Sequence, residues 1–317
     1  MSRTAIVSSE VAIGEVAATR PRKLSTYRRI EALWAYLFIS PTMISFFVFV
    51  LGALIYGLGL SLYRYAFFAP PQFVGLDNFR TLLQDQRVVN IFGNTVYYSI
   101  AMVAFDLVWA TAVALALNSY MPNFLKILYR MIFFFPVLTS GAVIAIVWRY
   151  LFNADLGIIN WFLGRFGVAK IPWLMSSKWV RPAVVLFTVW NGVGFNMVLI
   201  LAGLRSIPKT LYEAADIDGA GRVATFRHIT IPLLTPTLFF IIVKGFIGVF
   251  QLFDQPFMIA RGGPGDASRS IVMYIYELGF QAMRLGSASS VALVLFLIIL
   301  LITLLQFWGG KHWVFYR

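Results

Sequence analysis

Residues 35–62 read AYLFISPTMISFFVFVLGALIYGLGLSL, a stretch without a single charged side chain. A bilayer with a hydrocarbon core of roughly 30 Å is crossed by about 20 helical residues, and this stretch is longer than that. Because lipid offers no hydrogen-bond partner to a free backbone N–H or C=O, a run of this kind crosses the membrane as a helix. The stretch therefore predicts a membrane protein.

The composition of the whole chain agrees with that prediction. Of its 317 residues, 60% are apolar and 12% are charged, whereas soluble domains carry about 25% charged residues. A soluble globular protein is therefore excluded. The absence of Cys excludes disulfides, thiolate metal sites and Cys nucleophiles. In a soluble protein the net charge of +13 would indicate nucleic acid. Here basic residues that flank membrane spans and face anionic lipid explain it, so we predict lipid contact and no nucleic-acid partner.

Five further segments are long and apolar enough to span a bilayer. With the first, the predicted spans are 35–62, 95–117, 132–151, 182–204, 233–253 and 290–308. The alternating polarity of a membrane β-barrel is absent from the sequence. The predicted fold is all-α, a polytopic membrane protein of about six transmembrane helices.

The spans divide the chain into three predicted parts. Residues 1–30 form a disordered basic tail that leads to a surface helix near 26–33, residues 31–310 form the six-helix transmembrane domain, and residues 311–317 form a C-terminal tail. The segment LDNFRTLLQD (76–85) predicts a short amphipathic helix. The membrane face that holds both termini carries slightly more Lys and Arg, so we predict that both termini are cytoplasmic.

The loop SIPKTLYEAADIDGAGRVATFRHITIPLLTP (206–236) is the most informative part of the chain. Leu211 and Ala215 stand at helical spacing, and Gly219 then breaks the helix because glycine adopts positive φ without steric cost. A second short helix is predicted to follow and to end before Pro232. The pattern predicts two short helices that meet at a glycine corner and form a rigid protrusion. An ordinary interfacial loop is the alternative.

The same loop carries a family resemblance. Glu213-Ala214-Ala215, then Gly219, and nine residues later I-T-I-P (229–232), resemble the EAA loop of ABC-importer permeases. Ile231 stands where the family usually has leucine. The resemblance covers most of residues 30–317 and includes WRYLFNADLGIINWFL (148–163) and FQLFDQPFMIARGGPG (250–265). These stretches are similar to the carbohydrate-uptake permeases, which import maltose-type oligosaccharides, other sugars and glycerol phosphate.

The resemblance implies a cytoplasmic coupling helix in the EAA loop, residues 206–232, seated in a groove of a separate ATP-hydrolysing subunit. Glu213 would pair with a basic group of that subunit, Ala214 and Ala215 would permit close approach, and Gly219 would set the corner. The residues assigned to ATPase coupling are Glu213, Ala214, Ala215, Asp218 and Gly219.

The resemblance also implies partners and a location. The partners are a second permease subunit, two copies of an ATP-binding subunit, an extracytoplasmic solute-binding protein and a sugar. The location is the inner or plasma membrane of a prokaryote. ATP and Mg²⁺ are expected on the partner ATPase, and no cofactor is expected in this chain.

Motifs for chemistry are missing from the sequence. There is no G-x-x-x-x-G-K-[ST] phosphate-binding loop, no nucleophile elbow and no acid–base dyad. The GGPG at 262–265 lacks the Lys-Ser/Thr pair, so it predicts a tight turn on the face opposite the coupling loop. We therefore predict a transport subunit rather than an enzyme, with no catalytic residue and no metal site.

Two ionisable residues lie within predicted spans, where they are costly and commonly functional. Asp106 is near the middle of the second span and Lys244 near the middle of the fifth. Since these spans run in opposite directions, the two residues reach a similar depth, and we predict that they pair inside the bundle. Separate pairing with carbonyl groups or water is the alternative.

Polar and aromatic residues on the fourth and fifth spans suggest a sugar pathway. Lys244, Gln251 and Gln255 recur at i, i+7 and i+11, and Asn191 and Phe195 at i and i+4, so each set shares one face of a helix. Amide and carboxylate groups hydrogen-bond sugar hydroxyls, and aromatic rings cover sugar C–H surfaces. The predicted pathway residues are Trp190, Asn191, Phe195, Lys244, Gln251, Asp254 and Gln255. Helix packing or an interfacial aromatic belt is the alternative for the rings.

The predicted function is half of the translocation pathway of an ATP-driven sugar importer. A stand-alone secondary transporter or channel is the main alternative, but it often shows inverted repeats, and none is visible in the sequence. A second alternative is an importer of an anionic substrate such as glycerol phosphate, and Lys244 would suit such a substrate. A membrane scaffold without transport leaves the polar residues within the spans unexplained.

Overall fold

The computed structural model describes residues 26–66 and 70–315. The helices of this part of the chain are α1 (Tyr27–Ser61), α2 (Asp77–Gln84), α3 (Gln86–Asn118), α4 (Asn123–Leu138), α5 (Gly141–Leu151), α6 (Ile158–Gly164), α7 (Val180–Ser206), α8 (Lys209–Ile217), α9 (Arg222–Phe250), α10 (Asp254–Ala260), α11 (Ile271–Tyr276) and α12 (Leu285–Trp313). Two short antiparallel strands, β1 (Tyr63–Arg64) and β2 (Gln72–Phe73), follow α1. The predicted tail over residues 1–25 lies outside the described residues.

Long apolar helices dominate the structure, which confirms the all-α polytopic fold. By length and composition, α1, α3, α7, α9 and α12 can each cross a membrane, and the bent pair of α4 and α5 can count as a sixth span. The amphipathic helix predicted over 76–85 is present as α2. The surface helix predicted near 26–33 is not separate, because it continues into the first span as α1.

The third span differs from the prediction of one helix over 132–151. It begins earlier, at the start of α4, and α4 and α5 are bent by 103° relative to each other. Thr139 and Ser140 have extended backbone angles at the break. The Pro136 carbonyl accepts hydrogen bonds from the Thr139 hydroxyl at 2.8 Å and from the Asn191 amide at 3.2 Å. These bonds satisfy a carbonyl at the end of the helix, so the break is stable at membrane depth.

The fifth span also differs at both ends. The short helix predicted before Pro232 is not separate, because a wider π-helical turn over Phe226–Thr230 carries α9 up to that proline. The span was predicted to end at 253, but α9 ends at Phe250. Pro256 has no N–H to donate to the Leu252 carbonyl in a continuing helix, and that carbonyl accepts from the Ser270 hydroxyl instead.

Small residues bring the central helices together. Ala110 and Ala114 of α3 are completely buried in a core with Met197 of α7 and Leu234 of α9. Small residues spaced by four positions allow this close approach in membrane bundles. At Gly194 of α7, an added Cβ would lie 2.1 Å from the carbonyl oxygen of Phe133 in α4. The backbones of α7 and α4 therefore touch at this point, and only glycine fits.

The chain divides into two compact units, one up to Tyr56 and the other from Gly57 onward. The second unit has two ends joined by α3. Asn118, at the C-terminal end of α3, lines a cavity with Tyr212 of α8, whereas Arg87, at its N-terminal end, contacts Asp266. We call residues 207–230 the coupling end, and residues 149–179 and 251–284 with the start of α3, which pack together, the distal end. About 50 Å of helix separates them, at 1.5 Å per residue.

Candidate functional site

Helix α8 ends in a complete Schellman motif. The Gly219 N–H donates to the Asp216 carbonyl at 3.2 Å, and the Ala220 N–H donates to the Ala215 carbonyl at 2.9 Å. Gly219 has a φ of +73°, the left-handed conformation that this motif requires. The glycine corner predicted from sequence is therefore present, fixed by backbone hydrogen bonds rather than by side chains.

The two sides of α8 differ in exposure. Ala215 is buried, and the Tyr212 hydroxyl lies 3.2 Å from the hydroxyl of buried Thr230, so this side faces the chain's own bundle. Ile217 is 86% exposed on the same helix, and Val223 is 79% exposed just after the corner. Exposed apolar side chains of this size on a rigid corner suit a protein contact.

The predicted coupling residues therefore separate into two groups. The exposed ones are Glu213, Ala214, Asp218 and Gly219. Ala215 is covered by its own chain and shapes the helix from inside, so close approach of a partner would use Ala214 instead. Among the described residues, neither Glu213 nor Asp218 forms an ion pair.

Asp106 and Lys244 contact the adjacent residues Asn196 and Phe195 of α7, so they lie in the same region of the bundle without a direct ion pair. In the described part of the chain, their charged groups do not come within the 4.0 Å that defines an ion pair. The Asn196 amide of α7 donates to the Asp106 carboxylate instead. The Lys244 ammonium lies 3.8 Å from the centre of the Phe195 ring, a cation–π contact. Helix α7 thus supplies a separate partner to each of the two residues.

The structure brings part of the predicted pathway together. Phe195 of α7 and Lys244 of α9 are in contact, and both are exposed in the isolated chain. Trp190 is also exposed and packs against Trp148, with ring centres 5.2 Å apart. Gln251 is exposed at the end of α9. These residues leave a surface of mixed aromatic and polar character open along α7 and α9.

Three other predicted pathway residues have different surroundings. Asn191 donates its amide to the Pro136 carbonyl, so it holds the break in the third span. Asp254 and Gln255 belong to α10, a separate helix. The predicted stripe of Lys244, Gln251 and Gln255 on one helix is therefore wrong, because α9 ends before its last member.

The distal end contains a charge network that the sequence analysis missed. Arg87 of α3 donates to Asp266 at 2.6 Å and to Glu277 at 3.1 Å. Arg269 contacts the same two carboxylates. The Asn94 amide donates to the Asp266 carbonyl at 2.8 Å. Two arginines and two carboxylates therefore tie the loop after α10 to the start of α3.

A sequence signal for this network exists. Arg87, Asn94 and Tyr98 recur at i, i+7 and i+11 on α3, and the Tyr98 hydroxyl donates to the Ser268 carbonyl at 3.1 Å. Polar residues at helical spacing on one helix mark such a contact. The GGPG turn predicted at 262–265 lies in the loop that these residues hold, at the end opposite the coupling helix.

Charge pairing shifts the titration of Asp266. Burial alone would raise the pKa of this carboxyl, but hydrogen bonds from Arg87 and Arg269 outweigh it and hold the pKa below its ordinary value. The carboxylate is therefore ionised over the physiological pH range, and the loop stays anchored.

Asn160 is a second distal feature that the sequence analysis missed. Its amide donates to the Ala154 carbonyl at 2.9 Å and to the Ile171 carbonyl at 2.8 Å. Its side-chain oxygen accepts from the Ile171 N–H at 3.2 Å and from the Trp173 indole at 3.0 Å. One buried asparagine thus closes the connection between α5 and α7.

Comparison with known proteins gives one family. Residues 106–311 match the family described as binding-protein-dependent transport system inner membrane component. The probable ABC transporter permease protein YesP of Bacillus subtilis is 36% identical over 93% of this chain and 96% of its own. The arabinooligosaccharides transport system permease protein AraP of Halalkalibacterium halodurans is 31% identical, over 94% of each chain.

A solved structure has the same architecture. A chain of a bacterial ABC transporter involved in the import of the acidic polysaccharide alginate superposes with a TM-score of 0.80. It is 26% identical, and the match covers 90% of this chain and 98% of that one.

Proposed function

This chain belongs to the binding-protein-dependent transport system inner membrane components, and we propose on that premise that it forms half of the translocation pathway of an ATP-driven sugar importer. Members of the family are multi-pass membrane proteins that work with a solute-binding protein. The chain is thus a transport subunit and not an enzyme. The reading as a stand-alone secondary transporter or channel is not favoured by this membership.

A sugar is the proposed substrate class. The related permeases are named for arabinooligosaccharides and, in the solved structure, for alginate. The open surface along α7 and α9 supports the same class, because it combines the Phe195 and Trp190 rings with the polar groups of Lys244 and Gln251. Such a surface offers hydrogen bonds to hydroxyl groups and apolar faces to C–H bonds.

The observation that carries the proposal is the geometry of α8. A short helix locked by the Schellman motif at Gly219 exposes Glu213, Ile217 and Val223 without any ion pair in the described chain. A stiff element with free charges and exposed apolar groups can transmit a rigid-body movement from a partner. We propose that the partner is an ATP-binding subunit.

The proposed assembly contains this chain, a second permease subunit, two ATP-binding subunits that hold ATP and Mg²⁺, and the solute-binding protein. The coupling end then faces the cytoplasm. The Phe315 N–H donates to the hydroxyl of Thr235, five residues after the coupling end, so the C-terminal segment lies nearer to that end than to the distal end. We propose that both termini are cytoplasmic.

Co-purification and transport together test the proposal. The tagged chain, extracted in mild detergent from its native membrane, should bring down an ATP-binding subunit and a second permease. When the complex is reconstituted into lipid vesicles with the solute-binding protein, it should transport sugar only if ATP is present on the side of the membrane that the ATP-binding subunits face. The matched control replaces ATP by a non-hydrolysable analogue. Recovery of the chain alone, or uptake independent of ATP, would contradict the proposal.

A further inference from the structure

A concave cleft of about 510 Å³ lies at the distal end, between α5, α10 and α11. We call it the distal cleft. Its lining includes Arg149, Arg261, Arg269, Glu277, Phe257 and Tyr276. Pockets of 300–1,000 Å³ with apolar walls and a few convergent polar groups are typical of small-molecule sites. The distal cleft has this size and this composition.

The charge in the cleft is not balanced. Arg269 contacts Asp266 and Glu277 and is therefore neutralised. Arg149 and Arg261 are exposed, and neither forms an ion pair within the described chain. The position of each arginine is explained by a general preference, because cations are favoured at helix C-termini such as those of α5 and α10. This preference does not explain why both arginines line the same cavity. Their shared position leaves two guanidinium groups free for an anion.

An aromatic track forms one wall of the cleft. The Tyr276 and Phe280 rings are stacked with centres 5.5 Å apart, and the Phe253 and Phe257 rings are stacked at 5.0 Å. Phe257 and Tyr276 join the two pairs, with centres 6.1 Å apart. The track begins two residues after Gln251, where α9 ends, and reaches the exposed Phe280. Phe257 and Tyr276, in the middle of the track, line the distal cleft.

We propose that the distal cleft binds an acidic saccharide, with the carboxylate between Arg149 and Arg261 and the sugar ring against Tyr276 and Phe257. Planar guanidinium groups bind carboxylates with two parallel hydrogen bonds. The proposal rests on the proposed function and narrows its substrate class to sugars that carry a negative charge. The alternative ligand for the same two arginines is an acidic loop of the solute-binding protein. The recessed shape and the aromatic wall favour a small molecule instead.

A matched pair of disaccharides tests the inference. Equilibrium binding of radiolabelled digalacturonate and galactobiose, which differ in charge at the same carbon, is measured on the purified complex without the solute-binding protein. We expect at least 10-fold tighter binding of digalacturonate. The double variant R149Q/R261Q should lose this difference and keep the affinity for galactobiose. Arg165→Gln is the control, because Arg165 is exposed and lies over the Trp161 ring, outside the cleft.

Three results would overturn the inference. They are equal affinity for the two sugars, binding of neither sugar, and a preference that survives in R149Q/R261Q. A loss of affinity for the solute-binding protein in the double variant, with sugar binding unchanged, would instead assign the arginines to that protein. ATP-dependent uptake by the unaltered complex is measured separately, and its absence would contradict the proposed function itself.

Discussion

At the coupling end, α8 is held by backbone hydrogen bonds at Gly219 and by one contact between the Tyr212 and Thr230 hydroxyls. At the distal end, side chains from α3 reach the loop after α10 through Arg87, Asn94 and other polar groups. In the described parts of the chain, every ion pair lies outside the coupling end. The charges of the coupling end form none.

This difference separates two kinds of rigidity. Backbone geometry keeps the coupling end stiff while its charged groups stay available, and a partner subunit can pair with them. At the distal end Arg269, Asp266 and Glu277 pair with one another and with Arg87, so the loop keeps its position without a partner. Arg149 and Arg261 are among the distal charges that form no ion pair in the described chain, and they are the residues to which we assign a ligand.

The largest effect is expected from breaking the coupling corner with Gly219→Pro. Proline fixes φ near −65° and has no N–H, whereas Gly219 needs a φ of +73° and donates to Asp216. We expect sugar uptake to fall at least 10-fold, a transition-state cost of at least about 1.4 kcal/mol, while ATP hydrolysis by the complex continues. Parallel assays of uptake and phosphate release measure this uncoupling.

Gly221→Ala is the matched control for that variant. Gly221 has a φ of −68°, which alanine adopts without strain, and nothing lies within 4 Å of the position of an added Cβ. Its uptake should stay within about twofold of the unaltered chain, a change of about 0.4 kcal/mol or less in transition-state free energy. Normal coupling in Gly219→Pro, or equal damage in both variants, would show that the corner does not transmit the movement.

At the distal end the largest effect is expected from Asn160→Ala. The change leaves two carbonyls and two N–H groups in the connection between α5 and α7 without their partner. We expect a loss of about 3 kcal/mol of stability, measured as a lower thermal midpoint of the purified protein in detergent. Asn153→Ala is the comparison, because Asn153 is exposed and accepts from only two N–H groups. An equal shift in both variants would refute the special role of Asn160.

Asn160 also shows where prediction from sequence ends. Five of the six spans follow from apolar length alone, and the glycine corner follows from the residues around Gly219. The break at Thr139 and Ser140 depends on a carbonyl at Pro136 that Asn191, 55 positions away, satisfies. No local pattern contains that contact. Polar residues chosen as a sugar pathway can equally hold helices together, and only the tertiary partners distinguish the two roles.

A smaller effect is expected from Arg87→Ala. The change removes one of the two arginines that neutralise Asp266 and Glu277 in a partly buried setting. We expect a loss of about 2 kcal/mol and a lower thermal midpoint. Arg64→Ala removes an ion pair with Asp77 that is largely exposed, so its cost should stay below about 1 kcal/mol. If the two variants lose equal stability, the network at Arg87 contributes no more than an ordinary surface pair.

The smallest effect concerns pH, and it tests the same network by titration. The pKa of Asp266 lies below its ordinary value because the hydrogen bonds from Arg87 and Arg269 outweigh burial. A carboxyl with a lowered pKa stabilises the folded state above the unfolded pKa of about 3.9, and this contribution is lost as the pH falls toward the folded pKa. When the pH is lowered below about 4, the thermal midpoint should therefore fall, and the Asp266→Asn variant should show a smaller fall.

Asp155→Asn is the control, since Asp155 pairs with Lys170 at an exposed site, and its pH profile should match that of the unaltered chain. An unchanged profile in Asp266→Asn would mean that the distal loop keeps its position without this carboxylate, and the contrast between the two ends would then rest on Asn94, Tyr98 and Asn160 alone.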